Sequence, residues 1–131
     1  MRLTSCLHQY FYEYLPSIKG TSEQSVQAYR QSLSLFLHFL ANHHSIKIKS
    51  LTIEHLTVDA VLAFLQHLEK NRKNSVQTRN QRLAVIKSLA KMIRFMHPDK
   101  KRIAEGLLNI PQKRAQKKVM GFLYPEEIMK V

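Results

Sequence analysis

Apolar side chains recur along this chain at intervals of three and four, the spacing of helices with one buried face. Leu3, Leu7, Tyr10, Phe11 and Tyr14 share such a face, which predicts a first helix over 3–15, terminated by Pro16 and Gly20. Thr21 stands at a plausible N-cap with Gln24 three residues on. Val26, Tyr29, Leu33, Phe36, Leu37 and Leu40 then mark a second helix to about Asn42. Ile46 and Ile48 alternate with polar residues, so the 43–56 connection is read as holding a brief extended segment. Thr57 caps a third helix through Val61, Phe64, Leu65 and Leu68, and Asn71-Arg72-Lys73-Asn74 is the loop that follows. Ser75 caps the longest helix, which runs to about Met96 with Val76, Leu83, Ile86, Leu89, Ala90 and Ile93 inward until Pro98 stops it; a short fifth helix runs from Asp99 to about Leu108.

Composition supports an all-α fold. Only three glycines and four prolines occur in 131 residues, and a 44% hydrophobic fraction is enough to fill one core. The single cysteine, Cys6, has no intramolecular partner and reads as a small buried hydrophobe, consistent with a reducing, cytoplasmic setting. The first fifteen residues, interrupted by His8, Gln9 and Glu13, do not make a signal peptide, and nowhere do 18 apolar residues run together, so no membrane partner is expected.

Charge changes the picture because of where it lies. Residues 1–69 hold five Lys or Arg and five acids, so the whole net charge of +12 falls in 70–131. Within 70–102, eleven bases stand against Asp99 alone. Such a segment repels itself unless an anion lies alongside, and double-stranded DNA is the expected partner.

At 100° per residue the outward positions can be sorted. On the second helix Gln27, Gln31, Ser34 and His38 fall opposite the apolar stripe, with Ser25 opening the helix and Arg30 at the edge of the arc. On the fourth, Gln77, Gln81, Ser88 and Lys91 share an outward arc flanked by Asn80, Lys87 and Arg94. Arg79 and Arg82 fall on or near the apolar side, where they either reach past the core or pack by their stems. These faces contain no acid, and Gln, Asn, Ser, Lys and Arg supply donors for phosphates and amides for base edges. After Pro111, the run Gln112 to Lys118 holds Lys113, Arg114, Lys117 and Lys118 without an acid or apolar periodicity and is expected to be a flexible strap.

The order of these segments resembles a known family. Ser25-Val26-Gln27-Ala28-Tyr29-Arg30 followed by Leu33, Phe36, Phe39 and Leu40 is similar to the second helix of tyrosine recombinase core-binding domains, in the phage integrase family. Leu51-Thr52 through Phe64-Leu65 is similar to the third, and Ser75-Val76-Gln77-Thr78 with Arg82-Leu83-Ala84-Val85-Ile86-Lys87-Ser88 to the fourth. Ile110-Pro111-Gln112-Lys113 resembles the basic linker of that family, and Leu123-Tyr124-Pro125-Glu126-Glu127 the opening of its catalytic domain, with Tyr124 where Thr is usual. The resemblance implies a SAM-like orthogonal bundle of four to five helices over 1–111, then a linker and the first residues of a catalytic domain over 112–131. It implies that the second and fourth helices cross at the major groove of duplex DNA, and that the partners are a C-terminal catalytic domain and other recombinase protomers. It also implies that every catalytic residue, the tyrosine nucleophile included, lies beyond Val131, so that Tyr10, Tyr12, Tyr14, Tyr29 and Tyr124 are not that nucleophile and this chain is not itself an enzyme.

No other chemistry is legible. His43-His44 lacks a second ligand cluster, no glycine-rich phosphate loop occurs, and no Ser-His-Asp set can be assembled, so neither metal nor cofactor is assigned. Two alternatives to a recombinase domain are a stand-alone helical DNA-binding regulator and an adaptor for an acidic protein. The first is disfavoured by the long 42–57 connection, where a helix-turn-helix needs a short turn.

Overall fold

A computed structural model describes residues 1–114 and is all-α. Helix α1 begins as Leu3–Gln9 and continues as a π-helical stretch, Tyr10–Lys19; α2 is Glu23–His43, α3 Val58–Lys70, α4 Val76–Met96 and α5 Lys101–Leu108. The helix does not stop at Pro16, where the sequence predicts its end, but runs on to Lys19. The proline sits inside the helical path, where the wider π turn dispenses with the regular ladder that Pro breaks. Gly20 then ends it in the left-handed conformation, φ 69°, its N–H donating to Leu15 O.

The caps explain where the helices start. Thr57 Oγ1 accepts from Ala60 N–H and Ser75 Oγ from Thr78 N–H, as their sequence positions predict. The second helix is capped one residue later than expected, by Ser22, whose Oγ accepts from Ser25 N–H. The extended segment also shifts: Ile48–Ser50 and Ile53–His55 are 3₁₀ turns, and the extended pairing is a single bridge between Arg2 and Thr52. Leu3 N–H donates to Leu51 O at 2.8 Å, which seats the N-terminus against the 42–57 connection.

Helix α4 is central, packing on α2, α3, α5 and the π-helical part of α1. Its Leu83, Ile86, Leu89, Ala90, Met92 and Ile93 are buried with Phe36, Leu40, Phe64, Leu65 and Leu68. Phe36 and Phe64 meet with ring centroids 5.0 Å apart and tilted by 58°, which locks α2 to α3. Cys6 is buried, and burial pushes its thiol up to about 12, so it is a packing residue rather than a nucleophile.

Candidate nucleic-acid interface

The outward faces of α2 and α4 open on a chain of three adjoining hollows. The central one, about 400 Å³, lies between the helices and is lined by Gln31 and Ser32 from one side and Thr78, Gln81 and Arg82 from the other. Gln31 also lines a hollow along α2 with Arg30, Ser34 and His38, and Gln81 lines one along α4 with Gln77, Asn80 and Gln112. Among the described residues no acid lines any of the three. The structure thus brings together Arg30, Gln31, Ser34, Gln77, Asn80, Gln81 and Arg82 from the sequence-predicted set, with Gln27 exposed nearby on α2.

Several of these side chains are held by neighbours. The Arg30 guanidinium lies 4.5 Å from the centre of the Phe11 ring, which seats it at the α1 edge of the surface. Arg82 Nη1 donates to Ser32 Oγ across the groove, so its stem packs inward while its head ties α4 to α2. Ser25 is half-buried, its hydroxyl accepting from Ser22 in the cap of α2.

Two predicted contacts leave the surface. Ser88, placed on the outward arc by the helical wheel, is buried because Tyr10 of α1 packs over it and donates a 2.7 Å hydrogen bond to its Oγ. Arg79 is also buried: Nη1 donates to Asn80 Oδ1 at 2.9 Å, and Nε lies 3.9 Å from a Glu69 carboxylate oxygen. For Ser88 the helical wheel treats α4 as a straight rod in solvent and cannot see which arc the first helix covers, whereas the burial of Arg79 agrees with its place on or near the apolar side.

Covering Ser88 divides the face of α4 in two. Gln81 lines the groove against α2 and Gln77 the adjoining hollow along α4, whereas Lys91 and Arg94, both exposed, line a separate depression with Tyr14, Ile18 and the exposed Phe95. Lys87 is half-buried on the flank. The amide-rich centre is therefore bracketed by charge. Exposed Lys70, Arg72 and Lys73 precede α4, and Lys91 and Arg94 close it. Lys70 ends α3 and Arg72 and Lys73 lie in the loop after it; all three belong to the basic 70–102 segment, and their exposure beside the start of α4 adds them by number to the candidates.

Of the strap, Gln112, Lys113 and Arg114 are described, and all are exposed. Lys113 is nonetheless engaged, its Nζ donating to both Glu69 carboxylate oxygens at 2.9 and 3.2 Å. Lys117 and Lys118, and the 119–131 segment, lie outside the described residues. Among the described residues no three His, Cys, Asp or Glu side chains are grouped so that they could hold a metal ion, and no helix is long and apolar enough to cross a membrane.

Residues 8–94 of this all-helical bundle match the family model described as "Phage integrase, N-terminal SAM-like domain". The chain belongs to that family. Over 126 residues it is 33% identical to "Putative integrase/recombinase y4rD" of Sinorhizobium fredii (strain NBRC 101917 / NGR234), an alignment covering 96% of this chain and 45% of the relative. Over 126 residues it is 27% identical to "Putative integrase/recombinase y4rC" of the same strain, again covering 96% of this chain and 38% of that relative. The chain thus spans less than half the length of the curated relatives it matches. No solved structure matches it.

Proposed function

We propose that this chain grips one side of duplex DNA as the N-terminal domain of a site-specific tyrosine recombinase. The observation that carries this reading is the continuous acid-free surface across α2 and α4, in which Gln31 and Gln81 face one groove and basic residues bracket it. Amides without nearby carboxylates suit base edges and phosphates alike, whereas the flanking Lys and Arg supply the sequence-independent attraction. The segment from 112 joins the bundle to a C-terminal catalytic domain, and Arg114, Lys117 and Lys118 cross the phosphate backbone as the two domains close around the duplex, joined by Lys113 once its ammonium leaves Glu69. Other recombinase protomers on the same DNA are the remaining partners, in a cytoplasmic setting. Cleavage belongs to the catalytic domain, so this chain alone forms no covalent link to DNA.

The reading is tested by fluorescence anisotropy with a short labelled duplex across a salt series. Weak binding with little sequence preference that falls steeply as salt rises is expected, because each neutralised phosphate releases counterions. No binding at low salt, or affinity flat with salt, would overturn it.

A further inference from the structure

The start of the interdomain segment is tied to α4 at two points of its backbone. Asn80 Nδ2 donates to the Lys113 carbonyl at 2.8 Å, and Lys113 N–H donates to Asn80 Oδ1 at 3.0 Å. Only a side chain offering a donor and an acceptor side by side closes both bonds, and the amide of Asn does so. Its orientation is fixed from behind: buried Arg79 donates to the same Oδ1, which directs the oxygen toward the Lys113 N–H and the nitrogen toward the carbonyl. Glu69 completes the set, accepting from Lys113 Nζ and standing 3.9 Å from Arg79 Nε, so one carboxylate of α3 faces two cations. Just upstream, Ile110 is buried, which anchors the chain before it reaches the clamp.

The position of this clamp matters. Gln112 lines the same hollow as Gln77 and Gln81, so the segment leaves the bundle on the amide-rich face and not on its back. With Lys113 held by its backbone and its ammonium turned to Glu69, Arg114 is the first cation of the segment with no described partner.

We propose that Asn80 is a positioning residue: by clamping the backbone of Lys113, next to Gln112 in the hollow of Gln77 and Gln81, it sets where Arg114 leaves the bundle and makes the linker part of the DNA-facing surface. Asn80 therefore acts on DNA through the segment it holds and not by reading a base itself. This rests on the DNA-binding reading above. A residue that only stabilised the bundle would change folding without changing what Arg114 contributes.

The test is a double-substitution cycle on the 131-residue chain with a short duplex of unselected sequence, read beside amide hydrogen exchange. Asn80→Ala is expected to speed exchange of the Lys113 amide by on the order of tenfold or more, while amides in the centre of α4 exchange as before. Arg114→Gln is expected to weaken binding about three- to tenfold in the otherwise unchanged chain, and less than about twofold in the Asn80→Ala background. Should Asn80→Ala fail to fold, Lys113→Pro, which deletes the clamped N–H from outside the bundle, provides the second background and the same expectation for Arg114→Gln. An equal cost of Arg114→Gln in both backgrounds, or a Lys113 amide that exchanges as fast with Asn80 as without it, overturns the proposal. If the unsubstituted chain binds no DNA at any salt, the functional reading falls and takes the role of Arg114 with it, while the exchange measurement still decides whether Asn80 holds the segment.

Discussion

The Tyr10 hydroxyl donates to Ser88 Oγ at 2.7 Å, joining the first helix to the middle of α4 across 78 residues of sequence. Both side chains are buried, and burial raises the Tyr10 hydroxyl to about 12, so it stays a neutral donor throughout the physiological range. Ser88→Ala leaves that hydroxyl without its acceptor and is expected to cost about 1–3 kcal/mol of stability. Tyr10→Phe with Ser88→Ala removes both polar groups and should cost less than the sum of the single changes. Urea unfolding of the three variants measures this. If Ser88 were a DNA contact, Ser88→Ala would instead lower affinity with stability unchanged.

A second prediction separates the groove from the total charge. Gln31→Glu with Gln81→Glu places two carboxylates in the acid-free hollow between α2 and α4. Lys47→Gln with Lys49→Gln alters net charge by the same amount at exposed positions of the 42–57 connection. The first pair is expected to weaken duplex binding at least about tenfold and the second only a few-fold, since a carboxylate close to a phosphate repels it more than a distant one. Equal losses in a side-by-side anisotropy titration would mean that only overall charge matters.

Legibility in the sequence follows how local the deciding physics is. Thr57 and Ser75 bond to backbone three residues on, so their caps and the starts of α3 and α4 could be read from the chain. Thr21 and Ser22 offer equivalent hydroxyls, and only the backbone geometry selects Ser22. The stop expected at Pro16 presumes a regular α ladder, whereas Pro16 lies in a π-helical stretch whose Tyr10 and Leu15 are buried in the core. The site divides in the same way. Helical periodicity turns Gln31, Gln77 and Gln81 outward and Arg79 toward the apolar side, as they lie in the structure, whereas the burial of Ser88 depends on Tyr10, which is remote in sequence. The Asn80 clamp was not legible at all, since it joins residues 33 apart through a backbone that carries no sequence signal.

Gly20 yields a third prediction. Its φ of 69° lies in the left-handed region, yet a Cβ built there would meet nothing within 4 Å. The cost of substitution is therefore backbone strain alone. Gly20→Ala is expected to lose about 1–2 kcal/mol, and Gly20→Asn less, because Asn tolerates this conformation better. A pair of denaturation curves showing equal losses for Ala and Asn would point to a clash that the open surroundings do not contain.

The last prediction concerns pH and the end of α2. His44 follows the final residue of that helix, and its Nε2 is buried without a hydrogen-bond partner among the described residues. Its ring stands 4.7 Å from that of His55 and 5.1 Å from that of His43, centre to centre. Burial, and then the charge that His55 and His43 would carry, hold its pKa below the ordinary histidine value; a hydrogen bond to the His55 backbone opposes them only in part. In the unfolded chain His44 titrates near the usual 6.5. Between that value and the lower folded one the unfolded state binds more protons, so the contribution of neutral His44 is complete above about pH 6.5. It is lost as pH falls toward the folded pKa, below which both states are protonated and the dependence flattens. The melting midpoint should therefore drop between about pH 7 and pH 5, and drop less in His44→Gln, the remaining slope belonging to the other titrating groups. Local structure should respond first. Ser45 and Ile46 N–H donate to Asn42 and Ala41 carbonyls at the turn that follows His44, so their amides are expected to lose protection on acidification before those of α4 do. A chain whose midpoint falls equally with and without His44, or in which the Ser45 and Ile46 amides keep their protection at pH 5, would show that the His44 imidazole does not set this response.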